Sequence, residues 1–123
     1  MHVIDSSIWI EIFSGTEMGR QHLPLLSVPD EIIVPTIVQH EIFKWLSRVR
    51  TTEEANRAIT FTGNCQVVDL TTSIAVLAAD LGLEHKLHTS DAIIYATAQV
   101  HNSTLLTCDA HFKSLPGVDY FEK

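Results

Sequence analysis

The feature that most constrains this chain is an alternation along its length. Short apolar runs of strand length recur between stretches whose apolar residues repeat at helical spacing. That pattern predicts an α/β fold on a parallel sheet, because parallel strands need a crossover, usually a helix, between them. Strands are expected over residues 2–4, 31–34, 65–70, 103–107 and 118–121, and helices over 8–13, 17–26, 36–50, 51–63, 71–81 and 89–101. Most of the helices carry a start signal. These are Asp5-Ser6-Ser7, a capping box of Thr36 with Gln39, Thr51-Thr52-Glu53-Glu54, Thr71-Thr72-Ser73, and Thr89-Ser90. Gly63-Asn64 and Gly82 are the expected stops. With 123 residues, 46% of them hydrophobic, and no repeat or long linker, a single domain spanning 1–123 is expected.

Four acids fall where packing alone would not put them. Asp5 closes the first strand and Asp109 follows the fourth, so in a parallel sheet both reach the carboxyl edge, where open α/β folds bind ligands. A helix N-cap is the plainer account of either residue. Glu41 is more telling. On the helix from Thr36, residues Ile37, Val38, Glu41, Ile42, Trp45, Leu46 and Val49 form one stripe, and only Glu41 in it is charged. A carboxylate there needs a cation, a salt-bridge partner or a raised pKa. Asp91 opens the nearly all-apolar segment Asp91-Ala92-Ile93-Ile94-Tyr95-Ala96, a buried helix whose first turn faces the same edge if it leads into the fourth strand. The helix dipole alone also accounts for an acid at that position.

Charge decides what such a cluster can do. Fifteen acids against eight bases leave a net charge of −7, which opposes polyanion binding by the overall field. Two carboxylates about 4 Å apart repel by roughly 4 kcal/mol at an effective dielectric of 20. Asp5, Glu41, Asp91 and Asp109 drawn together would therefore hold protons or a divalent cation. An all-oxygen set suits Mg²⁺ or Mn²⁺ rather than zinc. Such an ion would also reconcile an acidic protein with a phosphodiester substrate. Half of the bases, Lys44, Arg48, Arg50 and Arg57, crowd into fourteen positions; they form either a solvated face or a patch for an RNA backbone.

These residues resemble the PIN-domain ribonucleases, most closely the VapC-type toxins of toxin–antitoxin pairs. The likeness runs over nearly the whole chain through Val3-Ile4-Asp5-Ser6-Ser7, His40-Glu41-Ile42, Thr89-Ser90-Asp91-Ala92-Ile93-Ile94 and Leu106-Thr107-Cys108-Asp109-Ala110-His111-Phe112. The resemblance implies a parallel five-stranded sheet of order 3-2-1-4-5 with helices on both faces. It places the acidic metal site on Asp5, Glu41, Asp91 and Asp109, with Ser6 and Thr107 as accessory hydroxyls. It further implies a Mg²⁺- or Mn²⁺-dependent endoribonuclease in which metal-activated water cuts structured RNA, such as tRNA or rRNA, leaving a 5′-phosphate. The implied partners are a small DNA-binding antitoxin and a second copy in a homodimer. One departure stands out: Asp109 is followed by Ala110-His111 with no further acid, and His111 is a candidate RNA contact.

The remaining tempting residues have plainer readings. The histidines, including His85 and His88, lack zinc-site company and read as surface residues. Cys65 and Cys108 are expected as free thiols, and Trp9 with Phe13 as core, an antitoxin groove being the lesser alternative. The start Met1-His2-Val3-Ile4-Asp5 shows no basic-then-apolar leader and no run is long enough to span a bilayer, so a cytoplasmic location is expected. Two other functions fit the class: a receiver-like phosphoacceptor, which would want paired acids after the first strand, and a non-catalytic binding protein of the same fold.

Overall fold

A computed structural model describes residues 1–123. Five parallel strands form one sheet: β1 (His2–Ile4), β2 (Ile32–Pro35), β3 (Gln66–Val68), β4 (Thr104–Thr107) and β5 (Val118–Tyr120), in the order β3-β2-β1-β4-β5. Val3 pairs with Ile33 on one side and Leu105 on the other, and all three are buried, as expected of a central parallel strand covered on both faces. Six helices fill the crossovers: α1 (Ser6–Ser14), α2 (Glu17–His22), α3 (Thr36–Val49), α4 (Thr52–Thr62), α5 (Thr72–His85) and α6 (Thr89–Val100). From β1 the chain steps outward to β2 and then β3, and from β3 it jumps back across the sheet to β4. With right-handed crossovers, that reversal moves α5 and α6 to the face opposite α1 to α4. The strand order switches direction between β1 and β4, the position at whose carboxyl ends open α/β sheets bind ligands.

Several local expectations are corrected. Thr36 does not cap α3; Pro35 occupies that position without a side-chain bond, and Gln39 reaches instead to Thr62 Oγ1 at 3.1 Å, tying α3 to α4. Thr89 and Ser90 lie inside α6, whose cap position is His88. The segment expected as one helix over 17–26 divides into α2 and a 3₁₀ turn, Leu23–Ser27, because Pro24 cannot continue the α-helical hydrogen bonding. Gly82 does not stop α5. It sits under α6, where a Cβ would come 3.5 Å from Ala92 Cβ, and the helix runs on until Lys86 turns left-handed at φ 57°. Thr51 and Thr71 do cap their helices, accepting from the amides of Glu54 and Ile74.

Trp9 is fully buried and stacks on Phe13 with ring centroids 5.7 Å apart, so that pair belongs to the core. His22 is also buried, against the surface reading: its ring meets Phe121 edge-on at 4.6 Å and Nδ1 lies 2.9 Å from the Met18 carbonyl. No helix is long and apolar enough to cross a membrane.

Candidate active site

The site grows out of the last residues of two neighbouring strands. The Asp5 amide donates to the Leu106 carbonyl at 2.9 Å, carrying the β1–β4 ladder one residue past β1 and setting Asp5 beside Thr107. Asp5 is only 2% exposed. Its Oδ2 accepts from Ser7 Oγ at 2.7 Å and from Thr107 Oγ1 at 2.8 Å. Each hydroxyl in turn accepts a backbone amide from the segment after β4: Cys108 N donates to Ser7 at 3.1 Å and Asp109 N to Thr107 at 3.0 Å. Those amides occupy the acceptor side of each oxygen and leave its single hydrogen for Asp5. Both bonds fall on Oδ2, and no protein donor takes Oδ1.

The other three acids arrive from separate elements. Glu41 lies in the second turn of α3 and is half-buried, which refines the stripe reading. Val38, Ile42 and Leu46 form the buried seam, while Ile37, Glu41 and Trp45 flank it along a cavity of about 410 Å³. Ser6 Oγ donates to Glu41 Oε1 at 3.0 Å, so the first turn of α1 orients that carboxylate. Asp91 sits in the first turn of α6 and is half-buried. Asp109 caps the 3₁₀ turn Ala110–Phe112, its Oδ1 accepting the His111 amide at 2.9 Å, so the N-cap reading also holds for it. Asp91, Asp109 and His111 each present a ligand atom within 4.8 Å of the others; Asp5 and Glu41 stand outside that tight trio.

The four carboxylates nonetheless act on one another. Burial raises Asp5 from 3.8 to about 6, opposed by its bonds from Ser7 and Thr107 and reinforced by the charges of Asp91 and Glu41. Asp91 is raised by burial and then by the Asp109 charge, with His111 pulling the other way and Glu41 adding to the rise. None of the four pairs with a lysine or arginine; the ion pairs involving them come from His111 alone. That disposes of a buried salt bridge as the reason for Glu41. Burial pushes the Cys65 thiol up to about 11 and raises Cys108, and both cysteines are free, as expected.

Of the clustered bases, Lys44 and Arg48 line the cavity beside Glu41 together with Ser6 and Ser90, and both also line a second hollow between α3 and α4. Arg50 and Arg57 are exposed and line neither. Sequence reasoning missed Ser7. The Asp5-Ser6-Ser7 run was visible, but helical phase decides that Ser6 turns towards Glu41 and Ser7 towards Asp5.

A doubly wound sheet with an acidic pocket at its switch point defines a class of α/β proteins, and its strand order separates it from receivers, whose order is 2-1-3-4-5. The family model for the PIN domain matches residues 2–118, and the chain belongs to that family. No curated protein sequence gives a significant match. Among solved structures, a chain of a toxin–antitoxin complex from Klebsiella pneumoniae is 27% identical with a TM-score of 0.86, each chain covered completely. The structure is also similar to VapBC2 from Rickettsia felis bound to promoter DNA, at 18% identity, TM-score 0.77 and 98% of both chains. A third likeness is to the sarcin–ricin loop-cleaving toxin VapC20 of Mycobacterium tuberculosis, at 16% identity, TM-score 0.72, 99% of this chain and 90% of that one. The last two show the fold; the sheet order and family read from the motifs hold.

Proposed function

We propose that this PIN-domain protein is a divalent-metal-dependent endoribonuclease, the VapC-type toxin of a toxin–antitoxin pair. The observation that carries the reading is that four carboxylates from separate elements come near enough at the carboxyl end of the sheet to act on one another's charge, without a lysine or arginine partner. The donor chemistry fits Mg²⁺ or Mn²⁺: carboxylate oxygens predominate, and Asp5 Oδ1 and Glu41 Oε2 are unclaimed by the protein. Asp5, Glu41, Asp91 and Asp109 are the residues proposed to hold the ion and form the catalytic set. A bound divalent ion supplies positive charge against the charge that develops on a phosphodiester.

The chain's own residues do the positioning. Ser7 and Thr107 fix Asp5, Ser6 turns Glu41, and the turn at Ala110–Phe112 fixes Asp109 through its cap. Lys44 and Arg48 border the cavity next to Glu41, where they would meet RNA phosphates approaching the acids. The proposed substrate is structured RNA. The Mycobacterium relative, a sarcin–ricin loop-cleaving toxin, favours rRNA as the first to test. Proposed partners are a small DNA-binding antitoxin, supported by the complexes from Klebsiella and Rickettsia, and a second copy of this chain. To test the reading, purified protein is incubated with total RNA and Mg²⁺ or Mn²⁺, and the new 5′ ends are mapped. Ends that require metal and disappear in Asp91→Asn are expected; no cleavage, or identical ends from both proteins, refutes it and leaves the non-catalytic alternative.

A further inference from the structure

We infer that His111 is itself a metal ligand, completing with Asp91 and Asp109 a mixed carboxylate–imidazole set that tilts this site from Mg²⁺ towards Mn²⁺. The inference rests on the metal-dependent reading above and concerns the one place where the chain departs from an all-acid pattern. His111 Nδ1 lies 3.5 Å from Asp91 Oδ2 and 3.2 Å from Asp109 Oδ1. Adjacent donors of an octahedral ion with bonds of about 2.1 Å stand roughly 3 Å apart, so the two His111 edges are near that spacing, and all three ligand atoms lie within 4.8 Å of one another. Nδ1 faces both carboxylates, so a cation that displaced its proton would meet the ring nitrogen and the two acids together.

The placement of the ring is structural. Phe112, the next residue, is fully buried and packs on Tyr95, which anchors the turn. The His111 amide donates to Asp109 Oδ1, so carboxylate and imidazole are set by the same turn. A simple surface ion pair would explain the contacts too, but a side chain 62% exposed gains little from one. An imidazole nitrogen adds affinity for first-row transition ions and little for Mg²⁺, a hard cation that prefers oxygen.

The test loads metal-free protein with Mn²⁺ alone and looks for directly bound ¹⁴N by electron spin-echo modulation, with Mn²⁺ and Mg²⁺ affinities from calorimetry. Wild type is expected to show one imidazole nitrogen on Mn²⁺. His111→Ala is expected to lose that signal and about tenfold or more in Mn²⁺ affinity, with Mg²⁺ affinity changing far less. The backbone cap on Asp109 survives this substitution, and the side chain is largely exposed, so folding is not at stake. His88→Ala removes the neighbouring ring, 5.6 Å away, and should keep the nitrogen signal. Mn²⁺ uptake without nitrogen coupling, or coupling that persists in His111→Ala, overturns the inference alone. Mg²⁺ uptake without Mn²⁺ uptake also overturns the inference alone, and uptake of neither ion by wild type overturns the metal-dependent reading with it.

Discussion

Replacing Asp5 by Asn separates what this residue does for chemistry from what it costs the fold. Asp5 is buried, and its carboxyl is raised from 3.8 to about 6, chiefly by burial. Between those two values the folded state holds a proton that the unfolded chain has released. Stability therefore falls as pH rises through that window, by about 1.4 kcal/mol per pH unit and about 3 kcal/mol in total. Below the unfolded value both states are protonated and the full stability is present; above about 6 it is gone. Asparagine keeps the shape without the charge, and its amide oxygen can accept from Ser7 and Thr107 as Oδ2 does.

The expected outcome at pH 7 with chelator present is an Asp5→Asn variant more stable than wild type by about 3 kcal/mol, and inactive. For a chain of this size that corresponds to a melting temperature higher by roughly 10 °C. Urea unfolding followed by tryptophan fluorescence between pH 4 and 8 measures it, and the two curves should converge near pH 4. Mn²⁺ at about 100 times its dissociation constant should return about 2.7 kcal/mol to wild type and clearly less to the variant, which keeps only Asp91, Asp109, His111 and Glu41. A variant less stable than wild type at pH 7, or a wild type whose stability does not fall from pH 4 to 6, would show that burying this charge is not what sets its pKa.

Ser7→Ala and Thr107→Val each remove a bond to ionised Asp5 and the acceptor of a backbone amide, so each should cost about 2 kcal/mol at neutral pH, and the upper end of the pH window over which stability falls should move upward in the same titration. Glu41→Gln and Asp109→Asn should abolish metal-dependent RNA cleavage while leaving the far-ultraviolet circular dichroism unchanged; cleavage near wild-type rate by either would remove that residue from the set. Lys44→Ala and Arg48→Ala should each flatten the dependence of RNA affinity on log salt by about 0.7, and Arg50→Ala and Arg57→Ala should not, since only the first two line the cavity. Trp9→Ala should lose about 3–5 kcal/mol in denaturant unfolding, as a fully buried aromatic stacked on Phe13.

The alternation of short strands and helices was legible because each strand is a bare apolar run with a polar break after it, and Asp5 and Asp109 are such breaks. Glu41 was legible because one charge interrupts an apolar stripe. The stripe did not reveal that Glu41 stands at its flank, half-buried, since that depends on how α3 lies against α1. Caps at Thr36 and Thr89 failed because the same short patterns occur just inside a helix, and tertiary bonds, such as Gln39 to Thr62, decide between them. Gly82 misled because a glycine also serves where two helices cross closely. His22 could not be placed from sequence at all: its partner Phe121 lies at the far end of the chain.

One arrangement links stability, metal affinity and site geometry. The amides of Cys108 and Asp109 point the Ser7 and Thr107 hydroxyls at Asp5, so the segment that carries Asp109 also fixes the acid across the β1–β4 switch point. A lysine against Asp5 would offset the cost of its charge more simply, yet it would occupy the volume and the lone pairs that a cation needs. The chain instead supplies hydroxyls, which hold Asp5 in place and offset only part of the cost of its charge, for burial still leaves its carboxyl at about 6. What remains of that cost is relieved when a cation arrives, and by linkage it appears as binding free energy. A site made comfortable without metal would for that reason bind metal less tightly, which is why the instability expected at neutral pH and the affinity for a divalent ion should rise and fall together across variants of Ser7 and Thr107.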